Sequence, residues 1–232
     1  MAVDFQALWD AYPTPNRPEF FQANDQAGAP GAAAALGWKE SNDHDDRPRI
    51  AARVLIFGGS QGAHAINVAM VEAASRLAAT GLKLAITHQT GERDLDLVRT
   101  AYAGAGLAAR VEAFIFEIDG EMKAADLVIC RAGATTLAEL TASGRPAILV
   151  PLPTATDDHQ RKNAEVLGRA GAGLVMEERD LSGLRLAENI AMLIADPGRR
   201  RQMSEAARKL ARPDAAARIA DRVEELGGRR AG

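Results

Sequence analysis

Short apolar runs rich in valine, isoleucine and leucine recur along the chain from residue 53, at 53–57, 84–88, 111–115, 126–130, 147–151 and 173–176. Strands that are apolar at nearly every position are covered on both faces, and strands of that kind belong to parallel sheets. Parallel neighbours need crossovers between them, and most of the intervening segments carry helical spacing. Ile66, Ala69, Met70, Ala73 and Leu77 fall at i, i+3, i+4, i+7 and i+11, one face of a helix over 63–79. Thr135–Ser143 reads as a short helix closed by Gly144, with Pro146 just beyond. Asp157 or Asp158 N-caps a helix through Arg169, stopped by Gly171 and Gly173. Three more helices are expected near 181–195, 198–211 and 213–226, with Pro197 and Pro213 at their starts. The alternation predicts an α/β chain with a doubly wound parallel sheet of about six strands, whose ligands bind at the carboxyl ends of the strands.

Residues 1–49 have a different texture. "QANDQAGAPGAAAALGWKESNDHDDRPR" mixes Ala, Gly, Pro, Asn and Asp without a sustained period, so an irregular N-terminal segment and insert is expected there. The 28 basic residues against 31 acidic ones give no basic field for nucleic acid. Cys130 is the only cysteine, which rules out a disulfide within the chain and a cysteine-based structural zinc site. It reads as a small buried hydrophobe at a strand end. No segment approaches the roughly 18 uninterrupted apolar residues of a membrane span. "MAVDFQALWDAYPTP" lacks the basic start and apolar stretch of a signal peptide. A soluble cytoplasmic protein is expected.

The turn after the first run can be read in three ways. Gly58-Gly59-Ser60-Gln61-Gly62 matches G-x-S-x-G, the nucleophile elbow of hydrolases. Asp126 or Asp157, then His159, could complete the Ser–acid–His order. However, no earlier strand supplies an oxyanion loop, and His159 lies at a helix start. A dinucleotide site wants a third glycine where Ala63-His64 stands, and an acid soon after the second strand. The acids of "THQTGERDLD" come later than that. A phosphate cradle needs less: two glycines for close backbone approach, the Ser60 hydroxyl, and the N–H groups opening the next helix. "CRAGATT" after the fourth strand makes a second such turn, with Gly133 in the bend and Thr135-Thr136 opening a helix. Two anion-friendly helix starts at one sheet edge suit a diphosphate. From the second helix Glu139 could accept hydrogen bonds from ribose hydroxyls, or it could be a solvated surface carboxylate.

Metal chemistry is poorly supported. Asp43-His44-Asp45 and Asp94-x-Asp96 match D-x-D, but the first lies in the irregular segment and the second reads as solvated acids on a helix surface. The four histidines, His44, His64, His88 and His159, lack ligand spacing. His64 and His88 read as loop or capping residues.

"VLIFGGSQGAHAIN", "FIFEIDGEMKAADLVICRAGATTLAEL", "GRPAILVPLPTATDDHQRKNAEVL" and "ARPDAAARIADRVEEL" resemble the C-terminal half of the MurG-type N-acetylglucosaminyltransferases of peptidoglycan synthesis. The resemblance runs over roughly residues 50–227. "TPNRPEFF" at 14–21 also resembles that family's interdomain stretch. It implies a Rossmann-like domain over 50–227, one half of a GT-B fold, followed by a tail at 228–232. The implied activity is inverting transfer of GlcNAc from UDP-GlcNAc to the undecaprenyl-linked muramyl-pentapeptide lipid I, giving lipid II, without a metal or cofactor. By residue, the resemblance implies Gly59, Ser60 and Gln61 at the donor diphosphate. It implies backbone groups of Ile115, after Phe114, at the uracil edge, with Ile118 packing nearby. Ala134, Thr135 and Thr136 would line the diphosphate and sugar, and Glu139 would hold the ribose hydroxyls. Gln160 would read the GlcNAc hydroxyls beside His159 and Asn163, and Arg17 would approach from the linker.

The family's N-terminal acceptor domain, with its membrane-facing surface and proposed base, has no counterpart in the dozen residues before "TPNRPEFF". The expectation is half an enzyme, inactive alone and without catalytic residues of its own. It would be found in the cytoplasm or at the cytoplasmic face of the inner membrane. The rival readings are half of a UDP-sugar epimerase-like enzyme and a non-catalytic nucleotide-sugar-binding module.

Overall fold

A computed structural model describes residues 52–59, 63–155 and 158–215, together with 220 and 223. The irregular segment expected over 1–49 and the tail at 228–232 lie outside the described residues, as does most of the helix expected over 213–226. Among the described residues six strands form one parallel sheet: β1 (Ala52–Phe57), β2 (Leu84–Gln89), β3 (Ala108–Glu112), β4 (Leu127–Cys130), β5 (Ala147–Leu149) and β6 (Gly173–Val175). The strand order is β3-β2-β1-β4-β5-β6, the doubly wound order that the alternation implied.

The crossovers and the chain after β6 supply α1 (His64–Ala79), α2 (Leu95–Ala105), α3 (Ile118–Ala124), α4 (Ala134–Ser143), α5 (His159–Arg169), α6 (Gly183–Ala195) and α7 (Pro197–Leu210). Side chains alternate across each strand, so the sheet divides two cores. Val54 and Ile56 of β1 pack with α1, α2 and α6, through residues such as Met70, Tyr102 and Ile190. Leu55 and Phe57 face the other way, with Met122, Leu140 and Leu167 of α3, α4 and α5. Helix α7 touches both cores, Met203 on one side and Ala207 on the other. The helical face expected from Ile66, Ala69, Met70, Ala73 and Leu77 is buried throughout.

Two expectations need correction. The third strand is Ala108–Glu112, not 111–115. It lies at the sheet edge, where a strand needs no continuous apolar run, and the apolar cluster Phe114–Phe116 follows it as a loop. Asp158 does sit at the N-cap of α5, but in a left-handed conformation (φ 58°) and without a side-chain cap bond. Its carboxylate accepts from Arg161 Nε at 2.5 Å instead.

The strands also end together. Glu112, Gln89, Phe57, Cys130, Leu149 and Val175 are successive register partners across the sheet, and each closes its strand. Direction switches between β1 and β4, so the loops leaving Phe57 and Cys130 part on either side of the crevice where such sheets bind ligands.

Candidate functional site

The β1–α1 turn cannot be built with side chains at its glycines. A Cβ on Gly58 would lie 2.1 Å from Ala63 Cβ and 2.5 Å from the Ala63 nitrogen, so only glycine lets the chain fold back on itself. Gly59, exposed, has φ +96°, a conformation that other residues rarely adopt. Helix α1 then opens at His64 with Ala63 as N-cap and no side-chain cap. Its first-turn N–H groups are therefore not satisfied by a capping side chain. Ser60 and Gln61, assigned to the same turn, lie outside the described residues, as does Arg17.

Behind this turn runs a buried polar chain. Asn67 Nδ2 donates to the Thr90 carbonyl at 2.9 Å and to Asp94 Oδ2 at 2.8 Å. Its Oδ1 is left as an acceptor, 3.0 Å from His88 Nε2, which must therefore carry the proton. His88 Nδ1 in turn accepts from the Tyr102 hydroxyl at 2.8 Å. Burial holds His88 neutral, its pKa lowered to about 3 against a weaker opposing pull from Asp94. Asp94 ends the chain and accepts from the half-exposed His64 Nδ1 at 2.9 Å. Burial alone would raise its carboxyl. The hydrogen bonds from Asn67 and His64 and the nearby charges of His64 and Arg93 outweigh that, and the net shift is downward. Asp94 is thus 5% exposed rather than a solvated surface acid, and His88 is a strand residue rather than a loop or capping one.

Gln89, at the end of β2, links this turn to the loop after β3. Its Nε2 donates to the Gly59 carbonyl at 2.7 Å, and its Oε1 accepts from the Ile115 N–H at 2.9 Å. Ile115 is buried between Phe114 and Phe116, which are 45% and 88% exposed. Those two rings meet edge to face with centroids 5.0 Å apart. Ile118, at the start of α3, packs partly buried against the core beneath.

The second turn, Arg131–Gly133, leaves β4 beside the first. Gly133 is the N-cap of α4 in an extended conformation, again without a side-chain cap bond. Ala134, Thr135 and Thr136 form the first turn of α4, with Thr135 exposed. Glu139, one turn further on, is partly buried and raises the pKa of Cys130 electrostatically, after the larger effect of burial. Its charge therefore acts at the end of β4. Cys130 is the buried strand-end residue expected of it.

Helix α5 braces this second turn. Gln160 Oε1 accepts from the Ala132 N–H at 3.2 Å and the Leu152 N–H at 3.0 Å. Asn163, 1% exposed, donates to the Ala132 carbonyl at 3.3 Å. His159 opens α5 partly buried. Arg131 donates to the Val150 and Pro151 carbonyls at 3.2 and 3.3 Å and pairs with Glu178 at 2.6 Å, fixing the loop after β5.

The described candidates Gly59, Phe114, Ile115, Ile118, Ala134, Thr135, Thr136, Glu139, His159, Gln160 and Asn163 all stand at this carboxyl edge or on the helices leaving it. Sequence reasoning missed Gln89, Asn67 and Arg131. The signal for the first was a polar pair, His88-Gln89, closing an otherwise apolar strand. Among the described residues, no group of three or more His, Cys, Asp or Glu side chains is placed to hold a metal ion. Nor is any helix among them long and apolar enough to cross a membrane.

Comparison with known proteins agrees with this architecture. Residues 53–219 match the glycosyltransferase family 28 C-terminal domain. A Geobacter metallireducens protein named UDP-N-acetylglucosamine–N-acetylmuramyl-(pentapeptide) pyrophosphoryl-undecaprenol N-acetylglucosamine transferase is 51% identical over 179 residues, 77% of this chain and 49% of that protein. A protein of the same name from an Anaeromyxobacter species is 51% identical over 180 residues, 78% of this chain and 47% of that protein. The crystal structure of Acinetobacter baumannii MurG superposes with a TM-score of 0.70 at 33% identity, covering 78% of this chain and 51% of that one. The chain thus spans about half the length of the curated relatives it matches, and its expected likeness to the C-terminal half of MurG-type enzymes is borne out. With its matched region covering most of its length, the chain belongs to the glycosyltransferase family 28 C-terminal domain family.

Proposed function

We propose that this domain binds the nucleotide-sugar donor UDP-GlcNAc for an inverting transfer to lipid I, making lipid II. The observation that carries the reading is the pair of helix starts, α1 and α4, opening side by side where Phe57 pairs with Cys130. Backbone N–H groups and helix dipoles at such ends favour anions, and two of them suit a diphosphate. In this reading no metal or cofactor takes part. Gly59, with Ser60 and Gln61, meets the diphosphate from one side, and Ala134, Thr135 and Thr136 meet it from the other. The carbonyl of Ile115, whose N–H is given to Gln89, faces the base beside Phe114. Glu139 accepts from the ribose hydroxyls. Because Gln160 Oε1 serves two backbone N–H groups, its amide nitrogen is the part offered to the hexose, next to His159. Asn163 supports the turn from within, and Arg17 approaches from the linker.

The domain's part in catalysis is to stabilise the departing UDP, while the acceptor and the base that deprotonates it are held elsewhere. Holding donor and acceptor in reactive geometry can account for about 7–11 kcal/mol of a barrier. This chain alone is therefore expected to transfer GlcNAc to lipid I negligibly. The whole enzyme would work at the cytoplasmic face of the membrane.

Melting of the full chain with UDP-GlcNAc, UDP, UDP-glucose and NADH side by side tests the reading, because a ligand of the native state raises the melting temperature. UDP and UDP-GlcNAc should raise it, with or without EDTA, and NADH should not. A shift with NADH alone, or none with UDP at millimolar concentration, contradicts the proposal. Glu139→Ala should weaken UDP binding by about 1–3 kcal/mol, the cost of losing hydrogen bonds to a charged group.

A further inference from the structure

We infer that Gln89 is a positioning residue that makes the glycine turn and the loop after β3 a single unit, so that the base and diphosphate subsites are set together. The inference rests on the donor-site reading above. Gln89 occupies the row of strand ends between Phe57 and Glu112 and is 4% exposed. An amide side chain has a donor and an acceptor on opposite branches, and here each is spent on the backbone of a different loop. The donor goes to the Gly59 carbonyl at 2.7 Å, the acceptor to the Ile115 N–H at 2.9 Å. Both partners lie in segments without regular structure of their own. Gly59 sits at φ +96°, and Ile115 lies between two exposed phenylalanines.

Neither loop can withdraw without leaving a buried amide atom unpaired, which is costly. The usual replacements do not take over both bonds. A carboxylate accepts at both oxygens and donates at neither, a methionine does neither well, and an asparagine is one methylene too short to span the same two partners. The position therefore favours glutamine. A nucleoside diphosphate that touches both loops meets them already ordered, and it avoids the entropic cost of ordering them on binding.

The test compares the full chain with Gln89→Met and Gln89→Glu. Amide hydrogen exchange reports the brace in the absence of ligand, and UDP titration by calorimetry reports its consequence. In Gln89→Met the Ile115 amide should lose protection while the amides within β1 and β4 keep theirs, and UDP should bind about tenfold more weakly. Gln89→Glu keeps an acceptor for Ile115, so that amide should stay protected. It also serves as the second variant if Gln89→Met does not fold. Unchanged Ile115 exchange in Gln89→Met, or equal loss in both variants, overturns the assignment. So does UDP affinity within twofold of wild type when Ile115 has become unprotected. A wild-type chain that fails to bind UDP overturns the donor-site reading instead, and the exchange comparison then judges the brace by itself.

Discussion

The two turns at the switch point do similar work with different materials. Both leave adjacent, register-paired strand ends and open helices without side-chain caps. Each is held by a glutamine, Gln89 on the Gly59 carbonyl for the first and Gln160 on the Ala132 N–H for the second, where Asn163 also bonds the Ala132 carbonyl. The first turn, however, is sterically forced. Gly58 has no room for a Cβ and Gly59 has a positive φ. Next to Gln89 in β2, His88 also belongs to a buried polar chain that runs from Asn67 to Tyr102. The second turn is permissive: Gly133 has an ordinary extended backbone, and a Cβ there would meet nothing closer than Thr136 Oγ1 at 3.9 Å. A glycine motif thus marks a geometric necessity at one turn and an option at the other.

That contrast can be broken by experiment. The largest effect belongs to acid. His88 is neutral in the fold with a pKa near 3, against 6.5 unperturbed, so the unfolded chain binds the extra proton first as pH falls. Its contribution is complete above pH 6.5 and is lost toward pH 3, a change on the order of 5 kcal/mol at about 1.36 kcal/mol per unit. Asp94, with a lowered pKa, adds loss in the same direction below 3.8. Chemical denaturation across this range should show the decline, and His88→Asn should flatten its slope between pH 6.5 and 4.

Next comes Asn67→Leu, which strips partners from His88, Asp94 and the Thr90 carbonyl at once. About 3 kcal/mol or more should be lost, since each buried unpaired group costs about 1–3 kcal/mol. Asn163→Leu breaks the 3.3 Å bond to the Ala132 carbonyl and should cost about 1 kcal/mol by the same measure. Equal losses in urea melts would erase the difference between the polar groups behind the two turns. The smallest effect of all belongs to one of the two glycines. Gly58→Ala should cost about 1–3 kcal/mol by overpacking, whereas Gly133→Ala should stay within about 0.5 kcal/mol. A destabilising Gly133→Ala would mean that the second turn is as constrained as the first.

How much of this the sequence revealed depends on how far the information lay from the residue concerned. The strands of the sheet centre and α1 were legible because each carries its own burial pattern, as Val54–Phe57 and Ile66–Leu77 do. The edge strand β3 was misplaced because Ala108–Arg110 are half in solvent and show no apolar run. Helix α3 gave no signal, since Met122 alone of its seven residues is fully buried. Asp94 looked solvated because its partners, His64 and Asn67, lie 30 and 27 residues earlier in the chain. Gln89 likewise acts on Gly59 and Ile115, 30 residues before it and 26 after it. The glycine turns and Glu139 were picked out by residue type and then by resemblance. Which polar side chains hold those turns became visible only when the strands were aligned.

The most direct test of the central claim is an amide NMR titration of the full chain with UDP. The account predicts the largest shifts at Gly58, Gly59 and His64 on one side of the crevice and at Ala132 through Thr136 on the other, with the far ends of α6 and α7 unmoved. Saturating shifts confined to any other surface, or to one turn without the other, would contradict a diphosphate site shared between the ends of β1 and β4.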